Sequence, residues 1–131
     1  DPAYKAIVLG QGNALMKSVA GLQTFSGEIG FKRIEYFGDI DASGFEIPSR
    51  FCSILERLGS DLRVLPARSL YEECIRRGTP RPSTVKDTAR DSSKWEKVSQ
   101  FTEAWLADSQ LFQNIDIIIR EGKRVAQEWV Y

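Results

Sequence analysis

Two aspartates, Asp39 and Asp41, are the residues whose type and spacing point most directly to chemistry. They follow an apolar run that ends at Phe37. Side chains at positions i and i+2 of an extended backbone point to the same side, so the two carboxylates are expected to converge. Carboxylates that converge repel each other unless a cation lies between them, and oxygen ligands suit Mg²⁺ or Mn²⁺. The spacing therefore predicts a divalent metal site.

The same aspartates also have a purely structural interpretation. Acidic residues just before a helix cap its exposed N–H groups and interact favourably with its dipole. The strand before the pair, the glycines at 38 and 44 and the helix after it favour a metal site. On the pattern alone, the two interpretations carry equal weight.

Alternating strands and helices would place the aspartates at the edge of a parallel sheet. Short apolar runs predict strands over 5–9, 33–38 and 62–65, and helical spacing predicts helices over 14–22 and 44–58. Strands that alternate with helices are typical of an α/β fold, in which sites form at the carboxyl ends of strands. A tight turn between the first strand and the following helix explains the Gly-x-Gly pattern better than phosphate binding does.

The second half of the chain has mostly helical patterns. Helices are predicted over 69–77, 99–106 and 121–130, and the apolar run over 111–119 favours a buried helix over a strand. The charged segment 84–97 reads as a loop or a helix. Its basic side is either an ordinary surface or a face for a phosphate backbone. We expect a single domain over 1–131.

The amino-acid composition excludes several classes of catalytic and metal site. Among 131 residues there are 18 Lys and Arg, 18 Asp and Glu, and no histidine. This excludes histidine general bases, Ser-His and Cys-His catalysis and the usual zinc sites.

No apolar run is long enough to span a membrane, and the first residues do not resemble a signal peptide. Cys52 and Cys74 are predicted to be buried thiols rather than a disulfide, which suits a reducing cytoplasm.

The central stretch resembles the signature of a known family. Tyr36–Ile47 reads YFGDIDASGFEI and is similar to the Tyr-x-Gly-Asp-x-Asp-x-x-Gly-x-x-Ile signature of Toprim domains. It looks most like the Toprim domains of the Wadjet nuclease subunit JetD and its relatives, which are akin to the catalytic subunit of type IIB topoisomerases. Weaker likenesses lie at 8–14, 76–80 and 125–128. The resemblance implies an α/β, Toprim-like fold with a Rossmann-type parallel sheet flanked by helices and a mostly helical C-terminal half.

The resemblance also implies metal-dependent DNA cleavage in anti-plasmid defence, with Asp39 and Asp41 as ligands of Mg²⁺ or Mn²⁺. Toprim domains add a glutamate at the end of the first strand, but residues 10–12 here are Gly-Gln-Gly. Two explanations stay open. Either the glutamate lies upstream and this is the C-terminal part of a longer protein, which we favour, or the site is degenerate. Glu46 and Glu128 are further candidate metal ligands.

The implied partners are DNA and structural-maintenance (SMC-like) complex subunits, with a homodimer as a further option. Basic residues that are candidates for DNA contact are Arg68, Arg76, Arg77, Lys86 and Arg90. Two other functions remain open. One is a degenerate Toprim-like module that binds DNA or a partner without catalysis. The other is a phosphohydrolase of the Asp-x-Asp type with the first aspartate as nucleophile, although Ser at position 43 suits that family less well.

Overall fold

A computed structural model describes residues 33–82 and 85–126, with side chains given from residue 92 onward in the second of these ranges. The strand, turn and helix predicted over 5–22 lie outside these residues. The elements, in chain order, are β1 (Arg33–Tyr36), α1 (Ala42–Arg57), β2 (Arg63–Pro66), α2 (Arg68–Arg77), β3 (Arg81–Pro82), α3 (Val85–Leu106), α4 (Ser109–Arg120) and β4 (Lys123–Arg124). The described chain is therefore mixed α/β and mostly helical.

Strands β1 and β2 form a parallel pair, joined by helix α1. Ile34 lies opposite Val64 in the register, and both side chains are buried. Alternate residues of each strand face α1, whose Phe51 and Leu55 complete this small core. The predicted strand–helix–strand unit is confirmed, because alternation in the strands and helical spacing in α1 are both clear in the sequence.

Helix α1 contains a proline. Pro48 lies in the second turn of the helix and is buried. Because proline has no backbone N–H, the carbonyl oxygen of Gly44 receives no helical hydrogen bond from residue 48. The helix ends at Arg57, and Gly59 follows in the left-handed region with φ 64°. That conformation favours glycine.

The second half packs around a larger aromatic core. Helix α3 is one continuous helix of 22 residues, so the charged segment where a loop or a helix was expected is helical. Its Trp95 side chain is buried and donates a hydrogen bond from Nε1 to Asp116 Oδ1 on α4 at 2.8 Å. Helix α4 is confirmed as a helix, with Leu111, Ile115 and Ile119 buried at helical spacing.

The final helix predicted over 121–130 is wrong in its described part, which ends at residue 126. Gly122 takes a left-handed conformation with φ 71°, and β4 then pairs with β3 in antiparallel fashion. Val125 continues as an antiparallel bridge to Ile40. Val125, which fits helical spacing locally, is instead held by backbone hydrogen bonds to the distant Ile40.

Two further sequence predictions concern the thiols and the membrane. Cys52 and Cys74 are both free, and Cys74 is buried. Among the described helices, none combines the length and the apolar character that a membrane span requires.

Candidate functional site

The two aspartates flank a residue that is fixed at the backbone. Strand β1 ends at Tyr36, and the chain continues to Ile40, whose N–H donates to Val125 O at 2.8 Å and whose carbonyl accepts from Val125 N at 3.2 Å. The Ile40 side chain is fully buried, and Asp41 is extended, with φ −156°. Asp39 and Asp41 are both partly buried. In extended backbone the neighbours of a buried residue point away from it, which directs both carboxylates to one side.

Both carboxylates act on the same phenol. The pKa of Tyr36 is raised to about 12 by burial first, and then by the negative charges of Asp39 and Asp41. The ring lies against Gly38, where a Cβ would be 2.7 Å from the Tyr36 hydroxyl oxygen. The charges of Asp39 and Asp41 therefore both reach the Tyr36 hydroxyl at the end of β1.

Asp41 also has the capping role that the alternative interpretation foresaw. Its Oδ1 accepts a hydrogen bond of 2.6 Å from the N–H of Gly44, and it is the N-cap of α1. A carboxylate has two oxygens with about four acceptor positions, so a cap does not use up its capacity. Capping fixes the direction of Asp41 and remains compatible with cation binding.

Glu46 lies in an ion-pair cluster of its own. It pairs with Arg50 Nη2 at 3.0 Å and lies 4.0 Å from Lys94 Nζ, which donates to Ser43 Oγ at 3.1 Å. Among the described residues, no three His, Cys, Asp or Glu side chains are grouped as a metal site would require. The described part of the site is thus the aspartate pair, and Glu128 lies outside the described residues.

Helix α2 brings two further polar groups close to Asp39 that the sequence interpretation missed. Tyr71 is fully buried, and its pKa is raised well above the ordinary value by burial, by Tyr36 and, less strongly, by Asp39. Its hydroxyl is buried near Gly38 and makes no hydrogen bond of good geometry with any described residue. Burial and then Asp39 raise the pKa of Cys74 to about 11.

The signal for these residues lies in the helical spacing of α2. Tyr71 and Cys74 are the buried residues, and Leu70 is 37% exposed. The two buried side chains are three positions apart, which also fits a helix face.

Most of the basic residues predicted to contact DNA have protein partners. Arg68 donates from Nη1 to Leu106 O at 3.2 Å. Arg76 and Arg77 both pair with Glu73 on their own helix. The side chains of Lys86 and Arg90 lie outside the described residues.

Comparisons with protein-family models, with curated proteins and with solved structures return no match for this chain.

Proposed function

We propose that this chain is a Toprim-like domain that cleaves DNA phosphodiesters in a Wadjet-type anti-plasmid nuclease, with Asp39 and Asp41 as the ligands of Mg²⁺ or Mn²⁺. The observation that carries the proposal is that the charges of both aspartates reach one group, the Tyr36 phenol. The two aspartates flank the buried Ile40 at the carboxyl end of β1, and both act on the Tyr36 phenol. Sites in α/β folds form at this end of parallel strands.

The donors present suit a hard divalent ion. Mg²⁺ commonly binds to one or two carboxylates and completes its coordination with water and substrate phosphate oxygens. When bound, such an ion stabilises negative charge on the phosphate and on the leaving oxygen. The protein's own contribution is to hold the carboxylates in place. The cap to Gly44 orients Asp41, and the Ile40–Val125 bridge fixes the backbone between the two.

Glu46 and Glu128 remain proposed additional ligands. Glu46 would have to leave Arg50 and Lys94 to reach the ion, so its contribution should be smaller than that of either aspartate. The proposed partners are DNA and SMC-like complex subunits, with a homodimer as an option. The free thiols of Cys52 and Cys74 suit a cytoplasmic protein.

The observed cap favours one rival function. Because Asp41 already has a structural role at α1, the chain could be a Toprim-like module that binds DNA or a partner without catalysis. The two functions differ in whether the aspartate pair binds a metal ion. A phosphohydrolase of the Asp-x-Asp type would bind metal too, but would act on small phosphomonoesters.

Titration of the full-length protein with Mn²⁺ tests the proposal, and the chain offers a matched control. Asp108 caps α4 as Asp41 caps α1, accepting from Leu111 N–H at 3.0 Å. Asparagine retains a capping oxygen but removes the charge. We expect Asp39→Asn and Asp41→Asn to weaken Mn²⁺ binding at least tenfold and Asp108→Asn to leave it unchanged.

Cleavage of plasmid DNA in Mg²⁺ by the same variants completes the test. Loss of nicking in both site variants, with nicking retained in the control, supports the nuclease. Wild-type protein that binds no Mn²⁺, or equal affinities in all variants, would rule the proposal out. Hydrolysis of p-nitrophenyl phosphate without DNA cleavage would favour the phosphohydrolase.

A further inference from the structure

Two arginines face each other across the β3–β4 pair. Arg81 and Arg124 are register partners, and both are exposed. Like charges directly opposite on adjacent strands destabilise the pairing. Nearby cations have acidic partners, since Lys123 lies 3.6 Å from Glu121 and Arg120 lies 2.7 Å from Asp116. Within residues 33–82 and 85–126, Arg81 and Arg124 form no ion pair.

One member of the arginine pair, Arg124, adjoins the aspartate segment through the backbone register. Arg124 directly precedes Val125, the residue that bridges to Ile40 in antiparallel fashion. Extending that register by one residue sets Arg124 opposite Asp41. Val125 and Ile40 are buried, so their neighbours on the extended segments point to the opposite side. Positive charge from β4 and negative charge from the aspartates therefore adjoin on one surface.

Phosphate is the anion that fits this arrangement. The planar guanidinium of arginine binds phosphate through two parallel hydrogen bonds, and partners across an antiparallel pair have Cα atoms only about 5 Å apart. A phosphate between Arg81 and Arg124 would relieve their repulsion.

We propose that the basic ribbon, defined as the register partners Arg81 and Arg124, binds the phosphate backbone of DNA next to the aspartate pair. The choice of DNA rests on the proposed function. The ribbon replaces the sequence-based candidates Arg76 and Arg77, whose charges are offset by Glu73. It would position one DNA strand so that a neighbouring phosphate reaches Asp39 and Asp41.

Fluorescence anisotropy of a labelled duplex, measured with the full chain in EDTA over a series of salt concentrations, tests the ribbon without metal. We expect Arg81→Gln with Arg124→Gln to weaken binding about tenfold at about 0.1 M salt and to reduce the log–log salt slope by about 2. The double variant Arg81→Lys with Arg124→Lys should keep the log–log salt slope of wild type while binding DNA more weakly. It retains both positive charges but lacks the planar guanidinium groups that bind phosphate through two hydrogen bonds.

The chain offers a matched control pair. Arg33 and Arg63 are also exposed register partners, on β1 and β2, at the opposite end of those strands from the aspartates. Their double glutamine variant should bind DNA within twofold of wild type. An equal loss in this control, or no loss in the ribbon variant with its circular dichroism unchanged, would overturn the proposal.

Two further readings separate the ribbon from its alternatives. Inorganic phosphate at the same phosphate concentration as the duplex should not displace the duplex, and displacement would assign the ribbon to free phosphate instead.

Mn²⁺ binding by wild type is measured in parallel. DNA binding through the ribbon without Mn²⁺ binding would refute the cleavage function alone. Mn²⁺ binding with no effect of the ribbon variant would refute the ribbon alone.

Discussion

The backbone carbonyl oxygen of Asp39 lies 2.0 Å from the position that a Cβ on Gly44 would occupy. No side chain fits there, so the first turn of α1 and the segment that carries Asp39 approach each other closely only because residue 44 is glycine. This contact gives a packing reason for the spacing between the aspartates and the glycine. It also links the fold directly to the geometry of the proposed site.

Gly44→Ala should therefore damage both stability and the site. The added methyl group must push the Asp39 segment away from α1, and overpacking of this kind typically costs about 1–3 kcal/mol. We expect the free energy of unfolding to fall by that amount in denaturant titrations. Mn²⁺ binding should weaken at least tenfold in the folded protein.

Gly59→Ala is the matched control for that substitution. Gly59 has a positive φ of 64°, but a Cβ there would meet no atom within 4 Å. The cost should be the backbone strain of about 1–2 kcal/mol, with Mn²⁺ affinity unchanged. If both variants lost metal binding alike, the contact between Gly44 and Asp39 would not be the cause.

Tyr36 should make stability depend on pH in the alkaline range. Its pKa is raised to about 12 in the folded protein by burial and by the two aspartates, against an ordinary value of 10.0. Between these values the unfolded chain loses the phenolic proton while the folded protein retains it. The contribution is thus fully present below pH 10 and is lost as the pH rises towards 12, by up to about 1.4 kcal/mol per pH unit.

Comparison with Tyr36→Phe isolates this contribution from that of Tyr71. The free energy of unfolding of wild type should fall more steeply than that of the variant from about pH 10 upward. In Asp39→Asn the alkaline fall should be smaller, because one of the charges that raise the Tyr36 pKa is gone. Parallel curves for wild type and Tyr36→Phe would contradict the assignment.

Val125→Pro should release the segment between the aspartates. Proline has no N–H, so the hydrogen bond of 3.2 Å to the Ile40 carbonyl is lost at a buried position. An unsatisfied buried group costs about 1–3 kcal/mol. Hydrogen exchange of the Ile40 amide, slow in wild type, should become fast. Unchanged protection at Ile40 would show that the bridge does not hold the site.

Cys74 should be the slower of the two thiols to react with iodoacetamide at about pH 8. Burial and the charge of Asp39 raise its pKa to about 11, and its Sγ donates to Ala126 O at 3.4 Å. The Cys52 pKa is also raised, by burial and then by Glu56, but that residue is only partly buried. Mass spectrometry of the alkylated peptides gives both rates. Faster modification of Cys74 would contradict its burial against the Asp39 segment.

The sequence predicts the elements whose signals are local. The strand before the aspartates and the helix after them show clear periodicity, and Asp41 with Gly44 has the pattern of a helix start. The continuous helix α3 was harder to predict, because its first half is mostly charged or polar and shows little apolar periodicity. Among the described side chains of α3, the apolar Trp95 and Val98 are buried.

The parts that were missed depend on contacts between distant residues. The spacing around Val125 suggests a helix, yet pairing with Ile40 determines its conformation. Tyr71 lies near Asp39 because α2 packs against the end of β1, with its ring centroid 5.0 Å from that of Phe37. No local pattern carries that information.

The Ile40–Val125 bridge has a consequence for the order in which segments of the chain are synthesised and paired. During synthesis the ribosome releases both aspartates long before Val125, so a nascent chain carries the carboxylate pair without the strand that fixes its backbone. Pairing can follow only when helices α3 and α4 have been made and β4 has emerged. Assembly of the site would then follow the synthesis of α3 and α4, and metal affinity would report on a chain in which Val125 has already paired with Ile40.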